Sequence, residues 1–241
     1  MREWMAVRVL LVLSYLCLAH DVMAQEWPSA PLPQRLQTFD IGEQMSVNGL
    51  PMRIKGFLSP LGSAVVAQSF REAWGQPLME NTVGRQLVMG QLRGEHYFTV
   101  QIEGVGKGTR GVIAITHLKA AYDTQEQAKL DRERWQTRLP AGSRILSRMT
   151  SQDGSRLSNQ LVFENAHSEN LNRENLAQWL AQDGFVLQNT FASEGGGTAN
   201  SLGKGHLSLF FKGQNKEAIA TVSRNSAGLT TTVLNIVTMS N

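Results

Sequence analysis

The sequence predicts an α+β protein made of two similar ββαβββ units, each with a helix packed on an antiparallel sheet, joined by a helical linker. Three observations support this prediction. Two strand-like runs flank a turn dipeptide in each half, at Asn48-Gly49 and at Asp153-Gly154. An amphipathic segment with a tryptophan near its end follows each hairpin, and three strand-like runs follow each of these segments. Because the order repeats, we expect an internal duplication.

The first unit is expected over residues 38–118. Its Asn48-Gly49 dipeptide suits a tight primed turn, because both central residues of such a turn need positive φ. The next segment, GSAVVAQSFREAWG, places three apolar side chains on one helical face: Val66, Phe70 and Trp74. The unit is then completed by three predicted strands, with the sequences RQLVMGQL, EHYFTVQIE and RGVIAITHL.

The second unit is expected over residues 141–241. NRENLAQWLAQDG predicts its helix around Trp179, and HLSLFFKG, KEAIATVSR and GLTTTVLNIVTM predict the strands that follow. Residues 119–140 are rich in good helix formers and are predicted to link the two units as a helix. The two units can form separate sheets or pair edge to edge as one sheet, and the sequence leaves both arrangements open.

The N-terminus has the features of a secretory signal. Arg2 and Arg8 precede an apolar run of about 11 residues, which is shorter than the ~20 residues that a membrane-spanning helix needs. We therefore predict a signal peptide over residues 1–24, cleaved near Ala24-Gln25, and a protein that is periplasmic or secreted, with no transmembrane segment after cleavage. A retained N-terminal anchor is the alternative. Residues 25–37, which contain three prolines, are expected to form a flexible leader.

Composition restricts the chemistry of the exported chain. Cys17, the single cysteine, lies inside the predicted signal, so cleavage leaves no disulfide, thiol nucleophile or thiolate metal site. The formal net charge of +3 is spread along the chain without a basic block. Such a balance allows a weak preference for anionic polymers but does not by itself indicate one.

Two glycine-rich stretches resemble phosphate-binding loops at first sight. The segment GVGKGTRG, residues 104–111, lacks the Lys-Ser/Thr pair and the following helix that a P-loop requires, so we interpret it as a hairpin turn. Lys204 lies in a long loop over residues 193–205, which is either a binding loop or disordered. Because Tyr97 and Phe98 are adjacent on a predicted strand, one of them should face outward. The predicted binding-surface residues are therefore Tyr97, Lys107, Arg110 and Lys204.

No catalytic, cofactor-binding or metal-binding residue is predicted. The histidines outside the signal do not have a metal-ligand spacing, although two of them would be neighbours if their strands pair: His96 and His117. The serines next to glycines resemble helix caps and turn residues rather than nucleophiles. Carboxylates from distant parts of the chain can still converge, so an enzyme remains an alternative.

These observations favour a non-enzymatic accessory or binding protein of the cell envelope, such as a component of a secretion or pilus assembly. Its strands and its leader are suited to binding envelope proteins by edge addition. Two alternatives remain open at this stage. One is a periplasmic cell-wall hydrolase or ligand-binding enzyme with a site between the two units, and the other is a binder of anionic polymer.

Overall fold

The computed structural model describes residues 27–193 and 206–239. The chain divides into two units, residues 1–30 and residues 31–241. Of the first unit only residues 27–30 are described, and they contain no helix or strand. The predicted signal peptide and Lys204, with most of its loop, lie outside the described residues.

Twelve strands and four helices are described in the second unit. The strands are β1 (Gln37–Val47), β2 (Leu50–Ser59), β3 (Met79–Val83), β4 (Gln86–Arg93), β5 (His96–Val105), β6 (Gly108–His117), β7 (Arg144–Asp153), β8 (Arg156–Asn165), β9 (Val186–Ser193), β10 (His206–Gly213), β11 (Lys216–Arg224) and β12 (Thr230–Met239). The helices are α1 (Ser63–Trp74), α2 (Leu118–Asp123), α3 (Gln125–Gln136) and α4 (Glu169–Gln182).

All twelve strands belong to one antiparallel sheet, in the order β3-β4-β5-β6-β2-β1-β7-β8-β12-β11-β10-β9. The mixed α+β class is therefore as predicted. The two halves of the sheet meet where β1 pairs with β7 over four residue pairs, from Gln44–Gln152 to Val47–Met149. This junction, which we call the seam, answers the question that the sequence left open, because the halves form a single continuous sheet.

The predicted ββαβββ order is wrong in one respect, because each half has four strands after its helix. The additional strands are β3 and β9, which lie at the two edges of the sheet. Every described side chain of both strands is exposed. An edge strand without a buried face needs no alternation of apolar and polar residues, so its sequence lacks the pattern by which the other strands were identified.

The turns follow the local sequence signals. Asn48 and Gly49 adopt φ of 53° and 85°, as the primed turn between β1 and β2 requires. The segment GVGKGTRG forms the hairpin between β5 and β6, where Gly106 has φ of 59°. The predicted linker helix is two helices, α2 and α3, which are separated at Thr124.

Both tryptophans of the predicted helices are buried, as the sequence predicts. Trp74 is 4% exposed and forms an aromatic cluster of α1 and the sheet with three phenylalanines: Phe57, Phe70 and Phe98. Trp179 is 6% exposed and packs edge-on against Trp135 of α3, with ring centroids 5.6 Å apart. In each half, large aromatic rings thus pack at the contact between helix and sheet, where each ring can bury a large apolar area.

Pro31, within the predicted leader, contacts α1. The buried indole N–H of Trp74 donates a 3.0 Å hydrogen bond to the carbonyl oxygen of Pro31. A buried indole N–H requires an acceptor, and the Pro31 carbonyl provides it here. None of the described helices combines the length and the apolar character that crossing a bilayer requires.

Candidate functional site

The basic hairpin between β5 and β6 is the first of the predicted binding features. Lys107 is exposed at its tip. Arg110 is also exposed, but its guanidinium donates to the Glu103 carboxylate across the strand pair, at 3.0 Å from Nε and 2.9 Å from the second nitrogen. These hydrogen bonds hold the pKa of Glu103 below its usual value. Because Arg110 is already neutralised by Glu103, the tip presents less net positive charge than its sequence indicates.

Tyr97 does not join this tip. It lies near the beginning of β5 and the tip lies beyond its end, so they are about 25 Å apart at ~3.3 Å per residue. The prediction that one of Tyr97 and Phe98 faces outward holds, since Phe98 is 2% exposed and Tyr97 is half-buried on the opposite face. The hydroxyl of Tyr97 lies over Gly90, where a Cβ would be 2.2 Å away. Tyr97 therefore packs on the sheet and is separate from the basic tip.

The two histidines that we expected to be neighbours are stacked. His96 and His117 are direct partners across β5 and β6, with ring centroids 4.4 Å apart and planes 10° from parallel. His117 is 2% exposed, and its Nε2 lies 3.5 Å from one carboxylate oxygen of Glu95, whose other oxygen faces Lys119. Burial lowers the pKa of His96, the nearby His117 lowers it further, and Glu95 opposes both effects.

This pair predicts a pH-dependent stability. Since the pKa of His96 is lower in the folded state than the ordinary value of about 6.5, the unfolded state binds more protons as the pH falls below about 6.5. We expect the free energy of unfolding to decrease between about pH 7 and pH 5. His96→Gln should reduce this decrease, whereas His206→Gln, at an exposed position, should leave it intact. Urea titrations at several pH values test this, and parallel profiles for parent and His96→Gln would contradict it.

The two edge strands of the sheet differ in how well they are protected against the addition of another strand. β3 has only five residues, and its Glu80 accepts two 2.7 Å hydrogen bonds from Arg71 of α1. The Arg71 guanidinium lowers the pKa of Glu80, so the carboxylate stays charged at neutral pH. Short length and a fixed charge are two common ways in which proteins discourage strands from adding to an edge.

The other edge, β9, has neither protection. Its eight residues, VLQNTFAS, include no charged residue and no proline. Three of its apolar side chains are well exposed: Val186 at 62%, Leu187 at 40% and Phe191 at 62%. On its covered side β9 pairs with β10 along most of its length, with one irregularity between Phe210 and Phe211. Among the described strands, β9 is the last of the sheet, so on its other side its backbone groups can accept another strand.

A cavity of about 460 Å³ lies at the seam, and we call it the open notch. It is lined by residues 40–44 of β1 and by residues 151–154 at the tip of the β7–β8 hairpin. Its carboxylates belong to Asp40, Glu43 and Asp153, and no histidine lines it. The Asp40 side chain is 54% exposed and pairs with Lys55 at 3.0 Å. The open notch is therefore a polar, water-accessible surface on which Asp40 already has a basic partner.

Neither β9 nor the open notch was identified from the sequence. The sequence of β9, VLQNTFAS, mixes apolar and polar residues, but no local feature of it indicates that this strand lies at the edge of the sheet. The open notch depends on two segments more than 100 residues apart. Within residues 27–193 and 206–239, no group of three or more His, Cys, Asp or Glu side chains is placed to hold a metal ion.

Comparisons with known proteins give no relative from which a role can be transferred. No family model matches the chain, and searches of curated proteins and of solved structures also find no match.

Proposed function

We propose that the chain is an exported, non-enzymatic accessory protein of the cell envelope that binds an extended segment of a partner protein along the free edge of β9. The observation that carries the proposal is the combination of length, neutrality and exposed apolar side chains on this edge strand. A partner strand would gain backbone hydrogen bonds from β9, while Phe191 and Val186 would provide apolar contacts. A component of a secretion or pilus assembly is the kind of protein that we expect to act in this way.

The export part of the proposal depends on the N-terminal sequence, with its basic residues, short apolar run and small-residue cleavage site. The alternative of a binder of anionic polymer has less support, because Arg110 is paired with Glu103 and Tyr97 lies far from the basic tip.

We also propose that the two halves arose by duplication. The strand order β1-β2-β6-β5-β4-β3 in one half has the same connections as β7-β8-β12-β11-β10-β9 in the other. Ser46 pairs with Thr150 at the seam, and these are the middle residues of Met45-Ser46-Val47 and Met149-Thr150-Ser151, which we align between the halves. Phe57 and Phe163 are both fully buried at similar places in β2 and β8. These correspondences support a common origin for the two units.

A charge placed on the free edge tests the binding proposal. A tagged full-length chain, expressed at its native level with a photo-crosslinking residue at Asn189, is irradiated in intact cells, and its adducts are identified by mass spectrometry. We expect a defined adduct with an envelope protein, reduced about tenfold or more by Thr190→Lys, because an edge lysine discourages strand addition.

The matched control is Thr82→Lys on β3, which is exposed at the opposite edge and should leave the adduct unchanged. A thermal unfolding curve of each variant verifies that the fold is retained. Persistence of the adduct in the Thr190→Lys variant would count against the proposal. Adducts made only of two copies of this chain would show that β9 serves self-association instead.

A further inference from the structure

The seam creates two corresponding places in the sheet. Because β1 and β7 pair over four residues, the tip of each hairpin lies beside the first strand of the other half. At one place the tip of the β1–β2 hairpin meets β7, where the backbone N–H of Asn48 donates to the Arg148 carbonyl at 2.8 Å. We call this place the covered notch. At the other place the tip of the β7–β8 hairpin meets β1, and this is the open notch.

Helix α3 fills the covered notch. Ala128 lies directly over the hairpin glycine, so that a Cβ added to Gly49 would be 2.6 Å from the Cβ of Ala128. Asp131 of the same helix forms an ion pair with Arg148, and the Arg148 guanidinium lies 5.2 Å from the centre of the Trp135 ring. The space that remains is about 20 Å³. Two contacts thus hold the helix in the covered notch: Ala128 packs on Gly49, and Asp131 pairs with Arg148 of β7.

The open notch has the same framework, but no helix of the described part of the chain covers it. A Cβ added to Gly154, the glycine of its hairpin tip, would have no atom within 4 Å. The free volume of about 460 Å³ contrasts with about 20 Å³ on the covered side. In the register of the sheet, β1 pairs with β7 only from Gln44 onward, so residues 37–43 of β1 have β2 as their single paired neighbour among the described strands.

The charge of the open notch differs from that of the covered notch. Its lining includes Glu43, Asp153 and Asp40, of which Asp40 is already paired with Lys55 just outside the notch, and no basic side chain lines it. The covered notch has Arg148 on the strand and binds the acid Asp131 of the helix. Opposite charges across an interface favour the correct partner and disfavour like-charged ones. A helix that fits the open notch should therefore bring lysine or arginine where α3 brings Asp131.

We propose that the open notch is a docking site for a helix of a partner protein, with a small residue over Gly154 and basic residues facing the carboxylates of Glu43 and Asp153. We expect the partner helix to lie in the open notch as α3 lies in the covered notch. This surface lies at the middle of the sheet, separate from β9, so the proposal stands independently of strand addition at the edge.

The experiment uses the full-length chain with a photo-crosslinking residue at Gln152, irradiated in intact cells. The crosslinked segment of the captured protein is mapped by mass spectrometry, synthesised as a peptide and titrated into the purified chain by calorimetry. We expect a helix-forming segment with a net positive charge and a small residue at the crosslink. Its affinity should fall about tenfold or more with Asp153→Lys, and it should weaken as salt is raised.

A second variant tests the shape of the site separately from its charge. Gly154→Asn keeps a residue type that tolerates the positive φ of 54° and introduces a side chain where the helix should pass. It should weaken peptide binding about as strongly as Asp153→Lys, because loss of close packing at a contact is costly. The matched control is Gly94→Asn, at the β4–β5 turn, where φ is 57° and space is equally free. It should leave the affinity unchanged.

Capture of a protein at Gln152 is not sufficient support unless the variants change the affinity as stated. An acidic or extended crosslinked segment would overturn the proposal, and so would an adduct between two copies of this chain. The same crosslinker at Gln86, in the β3–β4 hairpin, gives the background level. If the yield of adduct at Gln152 does not exceed this level, the proposal is also overturned. Loss of crosslinking at Asn189 with retention at Gln152 would reject the edge proposal and keep this one.

Discussion

Phe57→Ala is expected to lower the free energy of unfolding by about 3–5 kcal/mol. The Phe57 side chain is 0% exposed, and its ring centroid lies 5.6 Å from that of Phe70 in α1. Its ring also covers Gly111, where a Cβ would lie 2.2 Å from the ring. Since Gly111 has no side chain to fill the space and the paired strands cannot close together, the cavity should persist. A persistent cavity adds to the transfer free energy that is lost with the ring.

Urea unfolding followed by tryptophan fluorescence measures this loss, because Trp74 belongs to the same aromatic cluster. Leu58→Ala is the matched control. Leu58 is the next residue of β2, faces the opposite side of the sheet and is 49% exposed, so its replacement should change stability by less than about 1 kcal/mol. Similar losses for the two variants would show that Phe57 does not have the packing described.

The parts of the fold that the sequence predicts are those governed by local signals. The Asn48-Gly49 turn is predicted because its positive φ values strongly restrict residue type. The helices around Trp74 and Trp179 are predicted because each has one buried apolar face. The central strands likewise have one face in a core, so their apolar residues alternate.

The remaining parts depend on contacts between distant residues. The seam includes a hydrogen bond from the backbone N–H of Arg148 to Oδ1 of Asn48, across 100 positions of sequence, and no local pattern indicates such a pairing. The edge strand β9 could not be predicted, because its exposed side chains do not pack in a core and so show no alternation of buried and exposed positions. The described residues that were predicted to form one binding surface are also not close together in the structure. Tyr97 and the basic tip are close in sequence, but an extended strand separates them in space.

A buried amide pair shows a further limit of sequence reasoning. Asn172 lies on α4 in the sequence NRENLAQW, where a polar residue would normally be assigned to the exposed face. It is 0% exposed, and its side-chain amide exchanges hydrogen bonds with that of Asn165 at 2.8 and 2.9 Å. Its N–H group also donates to the Ser168 carbonyl at 3.0 Å. The pair ties the beginning of α4 to the end of β8, and burial makes each of these hydrogen bonds costly to lose.

Asn172→Asp should therefore destabilise the protein by about 3–5 kcal/mol at neutral pH. The new side chain has almost the same shape, but its carboxylate has no N–H to donate. Two acceptors, the Asn165 amide oxygen and the Ser168 carbonyl, would then face a buried negative charge. Asn172→Ala removes the same donors without adding charge and should cost about 1–3 kcal/mol. Asn175→Asp, at a partly exposed position of the same helix, should have little effect.

The pH dependence separates the charge from the lost hydrogen bonds. Burial should raise the pKa of the carboxyl introduced in Asn172→Asp above the value of about 3.9 expected in the unfolded chain. Between these two pKa values the folded state binds more protons than the unfolded state, so stability relative to the parent falls as the pH rises. The loss of stability relative to the parent should be smallest below about pH 4, and it should grow with rising pH until the folded-state carboxyl is ionised. Urea titrations of parent, Asn172→Asp and Asn172→Ala at both ends of this range measure it. A deficit that is equally large at low pH would mean that shape and hydrogen bonding, rather than buried charge, account for the loss.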